Sequence, residues 1–290
     1  MPGRETGKTY HRTHCVALSD SNPARHRTRH RLVIFTRKRF GQHFLHDRSV
    51  LDRIVREIAP TSSQALLEIG PGRGALTELL LGKSRTLDAI EIDRDLAQQL
   101  RARWGAPQGF ELHEADALKF DLAALARTRG QRLRVIGNLP YNISTPLLFH
   151  VAAAHEFIDD LHIMLQKEVI ERIAAAPGSG DYGRLTVMLA PWFEAKHLFD
   201  VGPGAFTPAP RVWSAVARLR VRREPAFDVP PAFARTVSAA FSQRRKTLRN
   251  ALKAIVGVEA IVAAGVDPSM RPETLTPAEF AAIAAHVREP

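Results

Sequence analysis

From Ala65 onward the chain alternates short apolar runs with stretches of helical period. Ala65–Gly70 (ALLEIG) reads as a buried strand, Gly74–Leu81 as a helix and Leu87–Ile92 (LDAIEI) as a second strand. Leu96–Trp104 is helical in period, Phe110–His113 is a short strand, and Leu133–Gly137 (LRVIG) is another. A helix over Thr145–Ala154 and a strand over Leu161–Leu165 (LHIML) follow, and Arg211–Val221 alternates as a late, antiparallel strand would. Strands alternating with helices predict an α/β fold with a mostly parallel sheet covered on both faces.

The pattern changes after Arg223. Glu224–Pro231 contains three prolines and reads as a linker. Phe233–Val256 has a helical period, with Phe233, Val237, Ala240, Phe241, Leu248, Ala251, Leu252 and Ile255 on one face and Arg244 interrupting it. The Ala-rich remainder is helical, with a helix start at Pro277. The expected organisation is an α/β body over 33–223 and a small all-helical domain over 224–290.

Residues 1–32 show neither period and read as a disordered basic extension. An RNA-binding arm, an organelle-targeting segment and residues upstream of the true start are the open readings beside a dispensable tail. Charge changes the picture less than its total suggests. Of the net +11, residues 1–40 carry ten basic and two acidic residues, a surplus of eight, so the other 250 residues are nearly balanced. Nucleic-acid binding by the folded body must therefore rest on local clusters. The chain has a single cysteine, Cys15, which excludes an internal disulfide, argues against a cysteine-based metal site and fits the cytoplasm. No apolar run spans a membrane, and the residues suggest no metal.

The candidate chemistry sits at strand ends. Glu68-Ile69-Gly70-Pro71-Gly72-Arg73-Gly74 turns from strand to helix with G-x-G-x-G spacing, whereas dinucleotide binders use G-x-G-x-x-G. Glu91 ends the second strand, where a carboxylate can accept from both ribose hydroxyls. Asp116 follows the third strand and can accept from an adenine amine. Together Gly70, Gly72, Glu91 and Asp116 favour S-adenosylmethionine (SAM) over a nicotinamide or flavin; helix capping is the plainer use of the two acids.

Asn138-Leu139-Pro140-Tyr141 follows the fourth strand. Asn138 offers a side-chain carbonyl. Pro140 keeps Leu139 out of helical conformation and leaves its carbonyl free to accept. Tyr141 offers a face for stacking a base. Two acceptors on an adenine amine favour a pyramidal nitrogen whose lone pair faces a methyl donor. Arg245, Arg249 and Lys253 are four apart and share a face of the expected long helix, with Lys246 beside them and no acid over Ser242–Lys253. They are candidate phosphate contacts.

With these residues in place, the sequence resembles the KsgA-type small-subunit rRNA adenine dimethyltransferases, relatives of the erythromycin-resistance methyltransferases and of mitochondrial dimethyltransferase/transcription factors. The resemblance runs from about Arg37 to Arg288. It rests on Arg37–Leu45 (RKRFGQHFL), Glu68–Gly72, Gly137–Ser144 (GNLPYNIS), Leu165–Val169 (LQKEV), Tyr182–Leu185 (YGRL), Phe206–Pro210 (FTPAP) and Phe241–Lys246 (FSQRRK). It implies a Rossmann-like SAM-dependent methyltransferase domain and a small helical C-terminal domain. It also implies a monomer that dimethylates two adjacent adenosines in the 3′-terminal hairpin loop of small-subunit rRNA, with the small ribosomal subunit or its precursor as partner and S-adenosylhomocysteine as product. By the same resemblance Gln42, His43 and Leu45 line the cofactor site with Gly70, Glu91, Asp116 and Asn138, and Phe206 is the second stacking face opposite Tyr141. His43 stands where the family usually has Asn. Two further readings stay open: an assembly factor whose catalysis is secondary, and a mitochondrial paralogue with a role in transcription.

Overall fold

The computed structural model describes residues 42–105 and 108–288. The extension expected over 1–32 therefore lies outside the described residues, as do Arg37–Gly41 of the first motif. The chain opens with a two-residue strand, β1 (Phe44–Leu45), and helix α1 (Arg48–Ile58). Asp47 caps α1 by accepting from the Ser49 and Val50 amides, and Leu51, Ile54, Val55 and Ile58 form its buried stripe. Then come β2 (Ala65–Ile69), α2 (Thr77–Leu80), β3 (Thr86–Glu91), α3 (Arg94–Trp104), β4 (Phe110–Glu114), α4 (Leu122–Arg129) and β5 (Leu133–Asn138). They are followed by α5 (Ser144–Ala153), β6 (Ile158–Gln166), α6 (Lys167–Ile173), α7 (Arg184–Leu189), β7 (Phe193–Val201), β8 (Phe206–Thr207) and β9 (Ser214–Val221).

Seven strands form one sheet in the order β4-β3-β2-β5-β6-β9-β7. The strands from β4 to β6 are parallel, and β9 runs antiparallel to both β6 and β7. The α/β expectation and the antiparallel late strand both hold. β2 is buried throughout and β5 from Leu133 to Gly137, as a sheet covered on both faces demands. One face packs under α4, α5 and α6 through Leu67, Val135, Leu147 and Leu165. The other packs under α1 through Leu66, Ile136, Met164 and Val216. β8 stands outside the sheet and pairs antiparallel with β1, placing Phe44 opposite Thr207 and Leu45 opposite Phe206.

The helix expected over Gly74–Leu81 is shorter than its pattern, because Gly74 holds a positive φ of 76° and turns the chain before α2 begins. Beyond the sheet lie α8 (Phe233–Ser242), α9 (Leu248–Ala251), α10 (Val258–Ala263) and α11 (Pro277–Ala284). Thr276 and Glu279 cap α11 reciprocally, and Pro277 is its first residue. These helices bury Phe233, Val237, Leu252 and Phe280 in a cluster that also takes in Tyr182 and Val187. The Tyr182 hydroxyl donates to the Leu275 carbonyl at 2.7 Å, tying the helices to the segment before α7.

The continuous helix expected over Phe233–Val256 is broken. The chain turns at residues 243–247, and the Leu248 and Arg249 amides donate to the Met270 and Pro268 carbonyls instead of to the preceding turn. Arg244 turns inward to Glu273 at 2.9 Å and to the Gly180 carbonyl at 2.8 Å. Tertiary bonds override the periodicity here, and neither glycine nor proline marks the break.

Candidate active site

The strand order reverses between β2 and β5. Loops leaving their carboxyl ends part in opposite directions and open a crevice there. Every residue singled out in the sheet region sits at this edge. Gly70 follows β2, Glu91 ends β3, Asp116 follows β4 and Asn138 ends β5. A cavity of about 360 Å3 is lined by Gln42, His43, Leu45, Gly70, Gly72, Glu91, Asp116, Asn138, Leu139, Pro140 and Tyr141. Its size suits a nucleoside-bearing small molecule.

The glycine turn is held by Glu91. Gly72, at φ +57°, donates its amide to Glu91 Oε2 at 3.1 Å, and Asp93 donates to Oε1 at 2.9 Å. A side chain at Gly72 would also crowd the Phe44 ring at 3.1 Å. Each carboxylate oxygen keeps a second lone pair, so Glu91 straps the loop and still has acceptor capacity for a ribose. Burial pushes its pKa above the usual carboxylate range, against the two amide bonds. Asp116 Oδ1 accepts from the Leu118 amide at 3.0 Å, so it caps its own turn while lining the cavity.

Two cavity features receive no role of their own from the motifs. Glu68 is buried inside the apolar run of β2, accepts from Thr77 Oγ1 at 2.7 Å, and lines the cavity. Burial, with a smaller push from Glu91, raises its pKa to about 7. Its signal in the sequence is a lone carboxylate within ALLEI. Ile92 is 47% exposed at the cavity rim next to Glu91, an apolar surface suited to a nucleoside ring. Its signal is an isoleucine just past the strand end.

The Asn138–Tyr141 segment is fixed from several sides. Asn138 Nδ2 donates to the His43 carbonyl at 3.0 Å, which leaves Oδ1 as its acceptor atom. The Leu139 amide donates to the Met164 carbonyl at 3.1 Å and its side chain is buried. The Leu139 carbonyl accepts no hydrogen bond among the described residues. The Tyr141 hydroxyl meets Ser214 Oγ at 2.6 Å, and the Tyr141 carbonyl accepts from Ser144 Oγ at 3.1 Å. Burial raises the Tyr141 pKa against the Ser214 bond, so the phenol stays neutral and anchors the ring. Ser214 begins β9 and carries no motif signal of its own.

Phe206 is not brought to this cavity. It is 3% exposed, pairs with Leu45, and packs in the core under α1. Leu45 itself is buried in that core while reaching the cavity wall. The shared helix face of Arg245, Arg249 and Lys253 also needs correction. Arg245 and Lys246 lie in the turn between α8 and α9, Arg249 lies in α9, and Lys253 lies in the turn after it. All four are exposed. Asp88, Glu111 and His113 approach one another as metal ligands would, but Arg129 bonds to both carboxylates and makes the group an ion network.

The lining chemistry separates possible cofactors. A pyrophosphate would face the carboxylates of Glu68, Glu91 and Asp116. The cationic sulfonium and ammonium of SAM suit such a lining, and the acids match its ribose and adenine. The model of the family "Ribosomal RNA adenine dimethylase" matches residues 35–289. The chain belongs to that family. A ribosomal RNA small subunit methyltransferase A from Pseudomonas aeruginosa is 54% identical over 255 residues, covering 87% of this chain and 95% of its own length. The namesake from Hahella chejuensis is 52% identical over 253 residues, covering 87% and 92%. Among solved structures, the 23S rRNA methyltransferase ErmE is 28% identical with a TM-score of 0.63, covering 84% of this chain and 99% of its own. A dimethyladenosine transferase from Plasmodium falciparum, at 23% identity and a TM-score of 0.69 over 83% of this chain and 96% of its own, shares the fold. This adenine dimethylase is thus a Rossmann-like, SAM-dependent enzyme that dimethylates adenine in ribosomal RNA. No helix among the described residues is long and apolar enough to cross a membrane.

Proposed function

We propose that the enzyme methylates the N6 amines of two adjacent adenosines in the 3′-terminal hairpin loop of small-subunit rRNA. It acts on the small subunit or its precursor in the cytoplasm, as a monomer. The observation that carries the catalytic part is the pair of acceptors at the end of β5: Asn138 Oδ1, oriented by the His43 carbonyl, and the uncommitted Leu139 carbonyl. The small-subunit assignment draws on the names of the relatives from Pseudomonas aeruginosa and Hahella chejuensis.

An adenine amine is a weak nucleophile because its lone pair is delocalised into the ring. The target base leaves its stack, at least cost from an unpaired loop, and rests on the Tyr141 ring. Asn138 Oδ1 and the Leu139 carbonyl accept the two amine hydrogens and favour a pyramidal nitrogen. SAM, when bound, supplies a methyl already activated by its sulfonium. Glu91 holds its ribose, and Asp116 and Ile92 hold its adenine. The chain's remaining task is alignment, so the rate comes from positioning. Neither carbonyl is basic enough to keep the released proton, which passes to water. Residues 224–288 form an RNA-holding domain, in which Arg245, Lys246, Arg249 and Lys253 contact phosphates.

Mass spectrometry of small-subunit rRNA nucleosides, from cells with and without the gene, tests this reading. Two adjacent N6,N6-dimethyladenosines that depend on the gene are expected. Their absence, or their appearance in large-subunit rRNA, would contradict it.

A further inference from the structure

The chain has three tryptophans, and two of them have partners inside the fold. Trp104 meets Phe110 edge-on at 6.2 Å and lies under the Arg103 guanidinium at 4.8 Å, and Trp192 stacks on His155 at 3.9 Å. Trp213 differs. It is 56% exposed, and among the described residues its indole has no ring, cation or hydrogen-bond partner. Val212 beside it is exposed too, and Arg211 is exposed without an acidic partner among the described residues. An indole left in water forgoes one of the largest burials a side chain can make.

The ring is nonetheless held in place. The Trp213 carbonyl accepts from the Lys167 amide at 2.9 Å, and the next residue, Ser214, meets the Tyr141 hydroxyl at 2.6 Å. A Cβ on Gly202 would come within 3.6 Å of the indole Cη2, so the six-membered ring lies against that backbone.

Its place in the sheet gives it a side. Gly70, Glu91 and Asp116, the cofactor residues, follow or end β2, β3 and β4, all on one side of β5. β6 and β9 lie on the other side, and Ser214 at the start of β9 pairs with Gln166 at the end of β6. Tyr141 bridges from the end of β5 to β9 through its hydroxyl. Two strand spacings, about 10 Å, separate β5 from β9, a step that the next nucleotide of an unstacked strand can span. Trp213 does not line the cavity, so it is placed for a base that stays outside.

We propose that Trp213 is a stacking platform for the unpaired nucleotide adjoining the target adenosine, with Arg211 beside it for a phosphate. Flipping one base uncovers the faces of its neighbours and costs their stacking. A fixed indole restores that stacking on the side of β5 away from the cofactor, and any base has a face for it. This deepens the function proposed above and rests on it only for the identity of the loop.

The test is a double-mutant cycle with the full-length protein and the 3′-terminal hairpin RNA of the small subunit. One arm is Trp213→Ala. The other removes the base on the 5′ or the 3′ side of the target by an abasic substitution. Trp213→Ala should raise the Kd for intact RNA by about five-fold or more, and Trp213→Phe by less. An abasic site on one side should weaken the wild type to a similar degree and leave Trp213→Ala no weaker than before. SAM affinity by calorimetry and single-turnover methylation at saturating RNA should hold in both variants. An unchanged Kd in Trp213→Ala, or losses that add at both flanking positions, would overturn the proposal. So would Trp213→Phe binding as poorly as Trp213→Ala, which denies stacking. A lower saturating rate with Kd unchanged would place the effect in Ser214 and Tyr141 and overturn it too. Weaker binding to small-subunit particles but not to the hairpin would assign the ring to a protein partner, again against the proposal. Wild type is assayed alongside for methylation of both ribosomal RNAs. Methylation of large-subunit rRNA alone would sink the function reading, and the same cycle on the loop methylated there would still decide the role of Trp213.

Discussion

The carboxyl edge of the sheet and the surface beyond residue 223 handle polar groups in opposite ways. At the sheet edge, Glu91, Asn138 and Tyr141 are each bonded within the protein and partly or fully buried. In the C-terminal region Arg245, Lys246, Arg249 and Lys253, on α9 and the turns flanking it, are exposed, and none of them takes part in a salt bridge among the described residues. Methyl transfer needs acceptors fixed to a fraction of an ångström, which burial and bonding supply. Holding a phosphate backbone needs charge within reach, which long exposed side chains supply without fixed geometry. Substitutions at the edge should therefore change rate or stability steeply, and those on the helices should change salt-dependent affinity in small steps.

The largest effect is expected at Gly137. A Cβ there would lie 2.6 Å from the Ile69 carbonyl oxygen and 2.9 Å from Leu139 Cδ2, so β5 would have to move away from β2. Gly137→Ala should destabilise the protein by about 3 kcal/mol and cut single-turnover methylation by about a hundred-fold. Thermal melting and quench-flow kinetics check both, and a variant with normal rate would show that the edge tolerates displacement.

Glu68 comes next. Its pKa of about 7 in the fold exceeds the ordinary 4.5, so the native state binds its proton more tightly than the unfolded chain does. Its neutral form suits the fold, and stability should fall as pH rises from about 4.5 to about 7, by roughly 3 kcal/mol. Glu68→Gln should remove that slope and be the more stable protein at pH 8, with the difference vanishing toward pH 5. Denaturant unfolding at the two pH values measures it, and a pH-independent difference would show that Glu68 ionises freely.

Glu91→Ala should weaken SAM binding about ten-fold or more, because a charged acceptor is worth roughly 1.5–3 kcal/mol. The structure adds a second cause, since the Gly72 and Asp93 amides lose their partner. Calorimetric titration should show the loss, and unchanged affinity would remove Glu91 from the site. The smallest steps belong to the helices. Replacing Arg245, Arg249 and Lys253 with Gln should lower the log–log salt slope of RNA binding by about 0.7–0.9 per lost phosphate contact, with SAM affinity unchanged. An unaltered slope would mean that this surface is merely solvated.

The same contrast explains what the sequence made legible. Gly70, Glu91, Asp116 and Asn138 could be found because each follows a strand whose apolar run is visible, and a parallel sheet delivers all such ends to one edge. The antiparallel β9 and the start of α11 at Pro277 were legible for similarly local reasons. Long-range partners were not. Nothing near Ser214 announces its bond to Tyr141, 73 residues away, and nothing near Leu248 announces that its amide will choose Met270. The resemblance implies Phe206 as a stacking face opposite Tyr141, but its pairing with Leu45 buries it in the core.

The measurement that tests the central claim most directly compares single-turnover methylation with RNA affinity in Asn138→Ala. The claim is that the edge of β5 presents two acceptors to the adenine amine, which matter most as the nitrogen pyramidalises. Turnover should then fall by about a hundred-fold or more, as for loss of a fixed transition-state partner, while RNA affinity stays near that of the wild type. A near-normal single-turnover rate, or a loss confined to RNA affinity, would contradict the account.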